Sequence, residues 1–237
     1  MRTTVPIIVA AVAALLTGGC NSDFDSMLGA MGMPLDDNTI ARGLGEALKV
    51  GTENAVAKTS TPGGYFSSAL LKITVPSQFD KAAATLRKVG LGGQVDAFER
   101  QMNAAAEHAA TQAGPVFIDA IKEMSFDDAR LILTGGSKTA ATDYFRQRTS
   151  ARLKSLYMPI VSDQMGRLGV VKGWNDLVGR YNAIPLSAKP QLPGIEDYVT
   201  SRALEGLFKV VAQEEQSIRE DPAARTTALL KRVFAQQ

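Results

Sequence analysis

The chain is poor in the residues that carry thiol, imidazole and metal chemistry. Its 237 residues include one cysteine and one histidine. A Cys/His zinc site needs about four ligands, so such a site and a disulfide framework are both excluded. A serine hydrolase is disfavoured because His108 is the single candidate base and no Gly-x-Ser-x-Gly motif is present. We expect no metal and no cofactor, can name no catalytic residue, and favour a protein that is not an enzyme.

The chain also lacks an excess of charge of one sign. Its 26 basic and 24 acidic residues leave a net charge of +2. A dedicated nucleic-acid-binding domain would carry a clear basic excess, so we expect no nucleic-acid partner. Aromatic residues make up only 6% of the chain, but the hydrophobic share of 45% is ordinary for a globular protein and excludes disordered and collagen-like classes.

The N-terminus has the three parts of an export signal. Arg2 gives a short positive start, and an uncharged apolar run extends from Val5 to Leu16. A membrane-spanning helix needs about 20 apolar residues, so this run is typical of a signal peptide. It ends at Thr17-Gly18-Gly19-Cys20, which resembles the lipobox of bacterial lipoproteins, with Thr17 where that motif usually has leucine. The alternative is an ordinary secretory signal followed by an unrelated cysteine.

The resemblance to lipoproteins implies an address in the cell envelope. Residues 1–19 are then removed as a signal peptide, and Cys20 carries the acyl chains, such as palmitate, that anchor the protein to a membrane. Asn21 is not the aspartate that retains enterobacterial lipoproteins at the inner membrane. We therefore expect an outer-membrane lipoprotein that faces the periplasm. Residues 20–38 read as a flexible tether, with packing on the domain or the bilayer as the alternative.

From residue 39 to residue 237 the pattern predicts one all-α domain, a multi-helix bundle. Apolar residues recur every three or four positions in nearly every segment. The exception is a short extended segment at 71–75, where Leu71, Ile73 and Val75 alternate with polar residues.

Helix boundaries can be predicted from capping residues, glycines and prolines. We expect Asp36, Asp37 or Asn38 to cap the first helix, and Ser125 with Asp128 to form a capping pair. We also expect a break or kink at Gly114-Pro115, the longest helix to open at Ser137, and Pro159 to kink or split that helix. The last predicted helix follows Asp221 and Pro222 and contains Leu229, Leu230, Val233 and Phe234.

Two sets of polar residues on the predicted helices are candidate site residues. The first set is Glu46, Glu53, Asn103 and Glu107, which would form a hydrogen-bonded network if buried, or line a cavity. The second set is Glu215, Arg219, Asp221 and Arg225. We expect Glu215 and Arg219 to pair on one helix face and Asp221 to cap the next helix. This corner either fixes the angle between two helices or forms a polar pocket in which Arg219 and Arg225 bind an anionic group.

Most of the predicted domain, about Thr39 to Phe234, resembles domain-of-unknown-function family 4197, exported bacterial proteins that are mostly predicted lipoproteins. The stretches that carry the resemblance are Glu46–Ala55, Phe98–Asn103, Tyr198–Thr200 with Ala203–Phe208, and Ile218–Thr227. The resemblance supports the domain and its compartment, and it implies no activity, substrate or cofactor.

The sequence therefore predicts a non-enzymatic, lipid-anchored envelope module. Apart from the membrane that holds Cys20, its expected partner is an envelope protein or an apolar, lipid-like ligand between the helices. The alternative is a hydrolase that acts on an envelope polymer through paired Glu and Asp carboxylates.

Overall fold

The computed structural model describes residues 37–167, 169–183, 194–225, 227 and 231. The predicted signal peptide, Cys20 and nearly all of the predicted tether lie outside these residues. So do Leu229, Leu230, Val233 and Phe234 of the predicted last helix. The division into signal peptide, tether and domain therefore stays a prediction.

The described residues form a bundle of α-helices joined by short connections. No strand occurs in this part of the chain, which confirms the all-α prediction. The α-helices are α1 (Asp37–Ser60), α2 (Asp80–Lys88), α3 (Gly92–Ala110), α4 (Ala113–Lys122), α5 (Phe126–Thr134), α6 (Ala140–Arg167), α7 (Val170–Asn182) and α8 (Ile195–Glu220). Two 3₁₀ turns lie at Ser77–Phe79 and Pro222–Ala224.

Helix α8 lies at the centre of the bundle and packs against α1, α3 and α6. Its buried residues, which include Val199, Leu207 and Val211, recur every three or four positions. Phe208 of α8 meets Phe117 of α4 edge-on, with ring centroids 6.1 Å apart. Each such apolar side chain contributes about 1.5–3 kcal/mol when it leaves water, so the buried face of α8 contributes strongly to the core.

The single tryptophan attaches α7 to the bundle. Trp174 stacks on Phe98 of α3 at 5.4 Å between ring centroids and lies 5.0 Å from Phe79. Aromatic pairs at such separations contribute about 0.5–1.5 kcal/mol beyond their buried area. The two contacts therefore fix α7 against α3 and the 3₁₀ turn before α2.

The segment at 71–75 shows the predicted alternation. Leu71, Ile73 and Val75 are buried, whereas Lys72 and Thr74 are exposed. No neighbouring strand satisfies its backbone, since the described residues contain none. Side chains of α3 take that role, as described below.

The capping pair is confirmed in detail. The Ser125 hydroxyl accepts a hydrogen bond from the Asp128 amide at 3.1 Å, and the Asp128 carboxylate accepts one from the Ser125 amide at 3.1 Å. The hydroxyl of Ser125 and then its amide stabilise the carboxylate, which lowers the pKa of Asp128. This reciprocal arrangement is a capping box, and it opens α5.

Some other predicted boundaries were wrong by a few residues. Helix α6 opens at Ala140 rather than at Ser137. Helix α1 begins at Asp37, so Asp37 and Asn38 lie inside it, and Asp36, the remaining candidate cap, lies outside the described residues. The break before α4 falls at 111–112, because Pro115 is tolerated in the first turn, where its missing amide has no helical partner. Helix α6 is continuous through Pro159, so the proline does not split it.

Candidate functional site

On one face of α3, a glutamate accepts hydrogen bonds from a segment of irregular backbone. Glu99, Asn103 and Glu107 are spaced four residues apart, so they lie on the same side of the helix. The Glu107 carboxylate accepts hydrogen bonds from the amides of Gly63 at 3.1 Å, Tyr65 at 3.0 Å and Phe66 at 3.3 Å. These amides have no helical or sheet partner, and Glu107 satisfies them.

Asn103 binds the next part of the same segment. Its side-chain oxygen accepts from the Ile73 amide at 2.8 Å, and its side-chain nitrogen donates to the Ile73 carbonyl at 2.8 Å. Glu99 accepts from the Val75 amide at 3.4 Å and forms an ion pair with Lys72 at 3.3 Å. The three side chains of α3 thus replace the missing neighbouring strand, and Asn103 and Glu107 belong to a hydrogen-bonded network.

Tyr65 closes the network against α8. Its hydroxyl donates to the Ala203 carbonyl at 2.7 Å. Its ring covers Gly206, where a Cβ atom would lie 2.6 Å from Tyr65 Cε1, so only glycine fits there. Burial, and then the proximity of Tyr157 and the Glu107 carboxylate, raises the pKa of Tyr65.

Tyr157 of α6 contrasts with Tyr65. Its side chain is fully buried, and among the described residues its hydroxyl has no hydrogen-bond partner. Burial alone raises its pKa. A buried hydroxyl without a partner costs about 1–3 kcal/mol, so Tyr157 contributes through its ring and not through its oxygen.

The second predicted set meets where α8 approaches the start of α6. Glu215 accepts hydrogen bonds from the amide of Ala141 at 3.0 Å and from the amide and hydroxyl of Thr142, both at 2.8 Å. It therefore caps α6 from another helix. Arg219 forms the predicted pair with Glu215 at 2.8 Å and also donates to the Ile132 carbonyl at 2.9 Å.

The other two members of this set bind backbone at the end of α8. Arg225 donates to the carbonyls of Ile218 at 3.0 Å and Arg219 at 2.8 Å. Asp221 accepts from the Ala223 amide at 2.8 Å and so caps the 3₁₀ turn. We call Glu215, Arg219, Asp221 and Arg225 the charged corner. Its side chains join α5, α6 and α8, while its role in binding a ligand stays a prediction.

The two remaining candidates lie on α1. Glu53 is exposed and is 4.0 Å from Lys49, whereas Glu46 is half-buried. Neither lines the small cavity between α1, α6 and α8 that Glu215 and Arg219 border. Glu214, which precedes Glu215 on α8, is buried and accepts hydrogen bonds from Asn54 and Lys58 of α1.

A small cavity lies beside the charged corner. It has a volume of about 20 Å³ and is lined mainly by apolar side chains of α1, α6 and α8, including Leu44, Leu48 and Phe145. A cavity of this size holds about one water molecule. It has no room for an acyl chain.

Sequence reasoning missed a larger and more polar pocket between α4 and α6. Its volume is about 210 Å³, and its lining is Val116, Ala120, Glu123, Tyr144, Arg148, Thr149 and Arg152. The sequence does contain one signal. From Asp143 to Asp163 the chain carries several arginines and a lysine but no acidic residue between those two. We call this lining the α4–α6 pocket.

The described part of the chain offers neither a metal centre nor a membrane-spanning helix. No cluster of three or more His, Cys, Asp and Glu side chains there is placed to hold a metal ion. His108 is exposed on α3. None of the described helices is both long and apolar enough to cross a bilayer.

Comparison with known proteins gives a family and no further relatives. Neither the curated proteins nor the solved structures contain a match to this chain. Residues 34–235, which include all of the helices described above, match the family described as protein of unknown function (DUF4197). The chain therefore belongs to the DUF4197 family.

Proposed function

We propose that this chain is a lipoprotein of the bacterial cell envelope, anchored through Cys20, and that its helical domain binds a protein partner. The leader supports the anchor, because a short apolar run ends at the only cysteine of the chain. Asn21 favours the outer membrane, with the domain in the periplasm. Acyl chains contribute about 0.8 kcal/mol per buried CH₂ group, so several chains at one residue hold a protein without a spanning helix.

The volume of the small apolar cavity beside the charged corner favours a protein partner over an apolar ligand. At about 20 Å³ it accommodates no lipid-like molecule. Pockets for such ligands measure about 300–1,000 Å³. A protein partner bound at the surface therefore fits the domain better than an apolar, lipid-like ligand bound in this cavity.

The surface of α5 supports a protein partner. Phe126 is 59% exposed and Leu131 is 69% exposed. They lie five residues apart on this short helix, about 140° around its axis, so a partner that wraps around α5 would cover both. Aromatic side chains are enriched among the residues that dominate binding at protein interfaces. We place the partner on α5 for this reason.

The carboxylate-dependent hydrolase receives less support. The buried glutamates Glu99, Glu107 and Glu215 each accept hydrogen bonds from backbone amides. These carboxylates are already engaged by the backbone of the fold, so they are not free to act on a substrate. If the hydrolase were correct, a panel of peptidoglycan and glycan substrates would show turnover that one Glu→Gln change removes.

The anchor is tested by metabolic labelling with palmitate. We expect the label on the wild-type chain, its loss in Cys20→Ser, and release of that variant from the outer-membrane fraction. Ser22→Ala, two residues away, serves as a control that keeps both label and location. Absence of label from the wild type, or unchanged membrane attachment of Cys20→Ser, contradicts the proposal.

The partner is tested by photo-crosslinking in intact cells. A crosslinking residue at position 131 should capture one envelope protein, and Phe126→Ala should reduce the yield by about tenfold, which corresponds to about 1.4 kcal/mol. The matched control places the crosslinker at Leu70, which is 47% exposed and lies outside α5. Equal products at both positions, or no effect of Phe126→Ala, would show that α5 is not the interface.

A further inference from the structure

The α4–α6 pocket contains an arginine that makes one long ion pair but no hydrogen bond among the described residues. The guanidinium of Arg148 lies over the Tyr144 ring, 5.5 Å from its centroid. Its nearest carboxylate oxygen belongs to Asp128 and is 3.9 Å away, beyond hydrogen-bond distance. The cation–π contact orients the guanidinium, and its planar set of N–H groups is left for a ligand.

An unpaired carboxylate lies on the same pocket. Glu123 immediately follows α4, is exposed, and lines the pocket opposite the arginines of α6. It takes part in none of the ion pairs found among the described residues, and thus it does not reach Arg148. Opposite charges that share a pocket without touching leave space for a molecule that carries both charges.

Tyr144 adds a hydroxyl group to the same pocket. It is half-buried and lines the pocket. Burial and then the Asp128 carboxylate raise the pKa of Tyr144, Arg148 opposes the rise, and Glu123 adds to it. The phenol therefore stays protonated at neutral pH and can donate a hydrogen bond to an anionic group.

The remaining charges near the pocket are already paired or bonded. Arg152 forms an ion pair with Asp119 at 3.0 Å, and Lys122 lies 3.9 Å from the same carboxylate. The other oxygen of Asp128 is held by Ser125 in the capping box. Of the charged residues that line the pocket, Arg152 is hydrogen-bonded, whereas Arg148 makes only the 3.9 Å ion pair with Asp128 and Glu123 makes no ion pair among the described residues. Arg148 and Glu123 are thus the cation and the anion best placed to meet a ligand.

We propose that the α4–α6 pocket binds a small zwitterion, a molecule with a carboxylate and an ammonium group such as a free amino acid. The carboxylate would lie against the Arg148 guanidinium and the Tyr144 hydroxyl, and the ammonium group against Glu123. Val116 and Ala120 give an apolar wall for the carbon atoms between the two groups. The volume of about 210 Å³ is enough for such a molecule. This proposal does not depend on the partner of α5.

The test is a nuclear magnetic resonance titration of the purified full-length chain with four separate probes. L-alanine carries both charges, acetate only the negative one, methylammonium only the positive one, and inorganic phosphate is an oxyanion of another shape. We expect saturable shifts around Tyr144 with L-alanine, and binding of each other probe weaker by about tenfold or more, because each lacks one of the two ionic contacts.

Two variants assign the contacts. Arg148→Gln should weaken L-alanine binding by about tenfold, and Glu123→Gln should remove the preference for L-alanine over acetate. Arg130→Gln is the matched control, since it removes an exposed arginine that does not line the pocket, and it should bind L-alanine like the wild type.

Three outcomes would overturn the proposal. The first is the absence of a saturable shift with any probe up to about 50 mM. A Kd of that size corresponds to a binding free energy of only about 2 kcal/mol, so tighter binding would have been seen. The second is equal binding of L-alanine, acetate and phosphate, which would indicate an oxyanion site. The third is an unchanged affinity in Arg148→Gln, provided that its spectrum shows the wild-type fold.

Discussion

The charged corner and the α4–α6 pocket both contain arginines and carboxylates, but they use them differently. In the charged corner, Arg219 binds Glu215 and a backbone carbonyl, and Arg225 binds two carbonyls. In the pocket, Arg148 has no hydrogen bond among the described residues and Glu123 has no ion pair. The same residue types therefore hold helices together in one region and are left open to solvent in the other.

The difference teaches where a ligand can be expected in a helical protein of this kind. A polar group that completes the hydrogen bonds of a helix end is needed by the fold, because an unsatisfied buried amide or carbonyl costs about 1–3 kcal/mol. A polar group that is oriented but unbonded is not needed by the fold. Substitutions should consequently separate the two regions by their effect on the free energy of unfolding.

The largest loss of stability is expected for Glu215→Ala. The change leaves the amides of Ala141 and Thr142 without an acceptor and the largely buried Arg219 without its carboxylate. Removal of one partner of a buried ion pair costs about 3–5 kcal/mol. Urea denaturation measures the loss.

The neighbouring carboxylate is the control for this change. Glu214→Ala removes an ion pair to Lys58, whose side chain is 64% exposed, and a hydrogen bond from the exposed Asn54, so we expect a loss of only about 1–2 kcal/mol. Equal losses for the two variants would mean that the charged corner contributes no more than a surface pair.

A loss of about 2–4 kcal/mol is expected for Asn103→Ala. Both backbone polar groups of the buried Ile73 lose their partner in this variant. The exposed Gln94 of the same helix is the control, and Gln94→Ala should stay within about 0.5 kcal/mol of the wild type. A similarly small change in Asn103→Ala would show that the segment at 71–75 is held by its apolar side chains alone.

The two buried tyrosines should respond to the loss of their hydroxyls with opposite signs. Tyr65→Phe removes the donor to the Ala203 carbonyl, so we expect a loss of about 1–2 kcal/mol. Tyr157→Phe removes a buried oxygen that has no partner, so we expect no loss and a gain of up to about 1 kcal/mol. Thermal unfolding of both variants gives the comparison, and a clear loss in Tyr157→Phe would reveal a partner for its hydroxyl.

The smallest effect on stability is expected in the pocket. Arg148 is exposed and makes only a 3.9 Å approach to Asp128, so Arg148→Gln should change the free energy of unfolding by no more than about 0.5 kcal/mol. Chemical denaturation of Arg148→Gln and Glu215→Ala in parallel measures the difference between their free energies of unfolding. A loss above about 2 kcal/mol would place Arg148 among the residues that hold the fold.

The sequence predicted the helical fold because apolar spacing is a local signal. Ser125 and Asp128 lie within one turn of each other, and their capping box was predicted correctly. The start of α6 was predicted wrongly, since its capping carboxylate comes from Glu215, which is distant in the chain. A cap supplied by another helix leaves no trace in the local pattern.

The same limit applies to the candidate site. The pairing of Glu215 with Arg219 follows from their spacing and is observed. That Asn103 and Glu107 bind backbone across the bundle depends on tertiary packing, as does the meeting of Glu123 with Arg148 at the α4–α6 pocket. Spacing along one helix identifies neighbours on that helix, whereas a pocket is formed by two.

The way in which α3 holds irregular backbone has a consequence for solvent exchange. The amides of Tyr65 and Ile73 lie outside any helix, yet each donates to a buried side chain. Such amides exchange with deuterium only when the structure around them opens. They should therefore show slow exchange typical of a helix interior, and they should lose this protection together when α3 separates from the bundle.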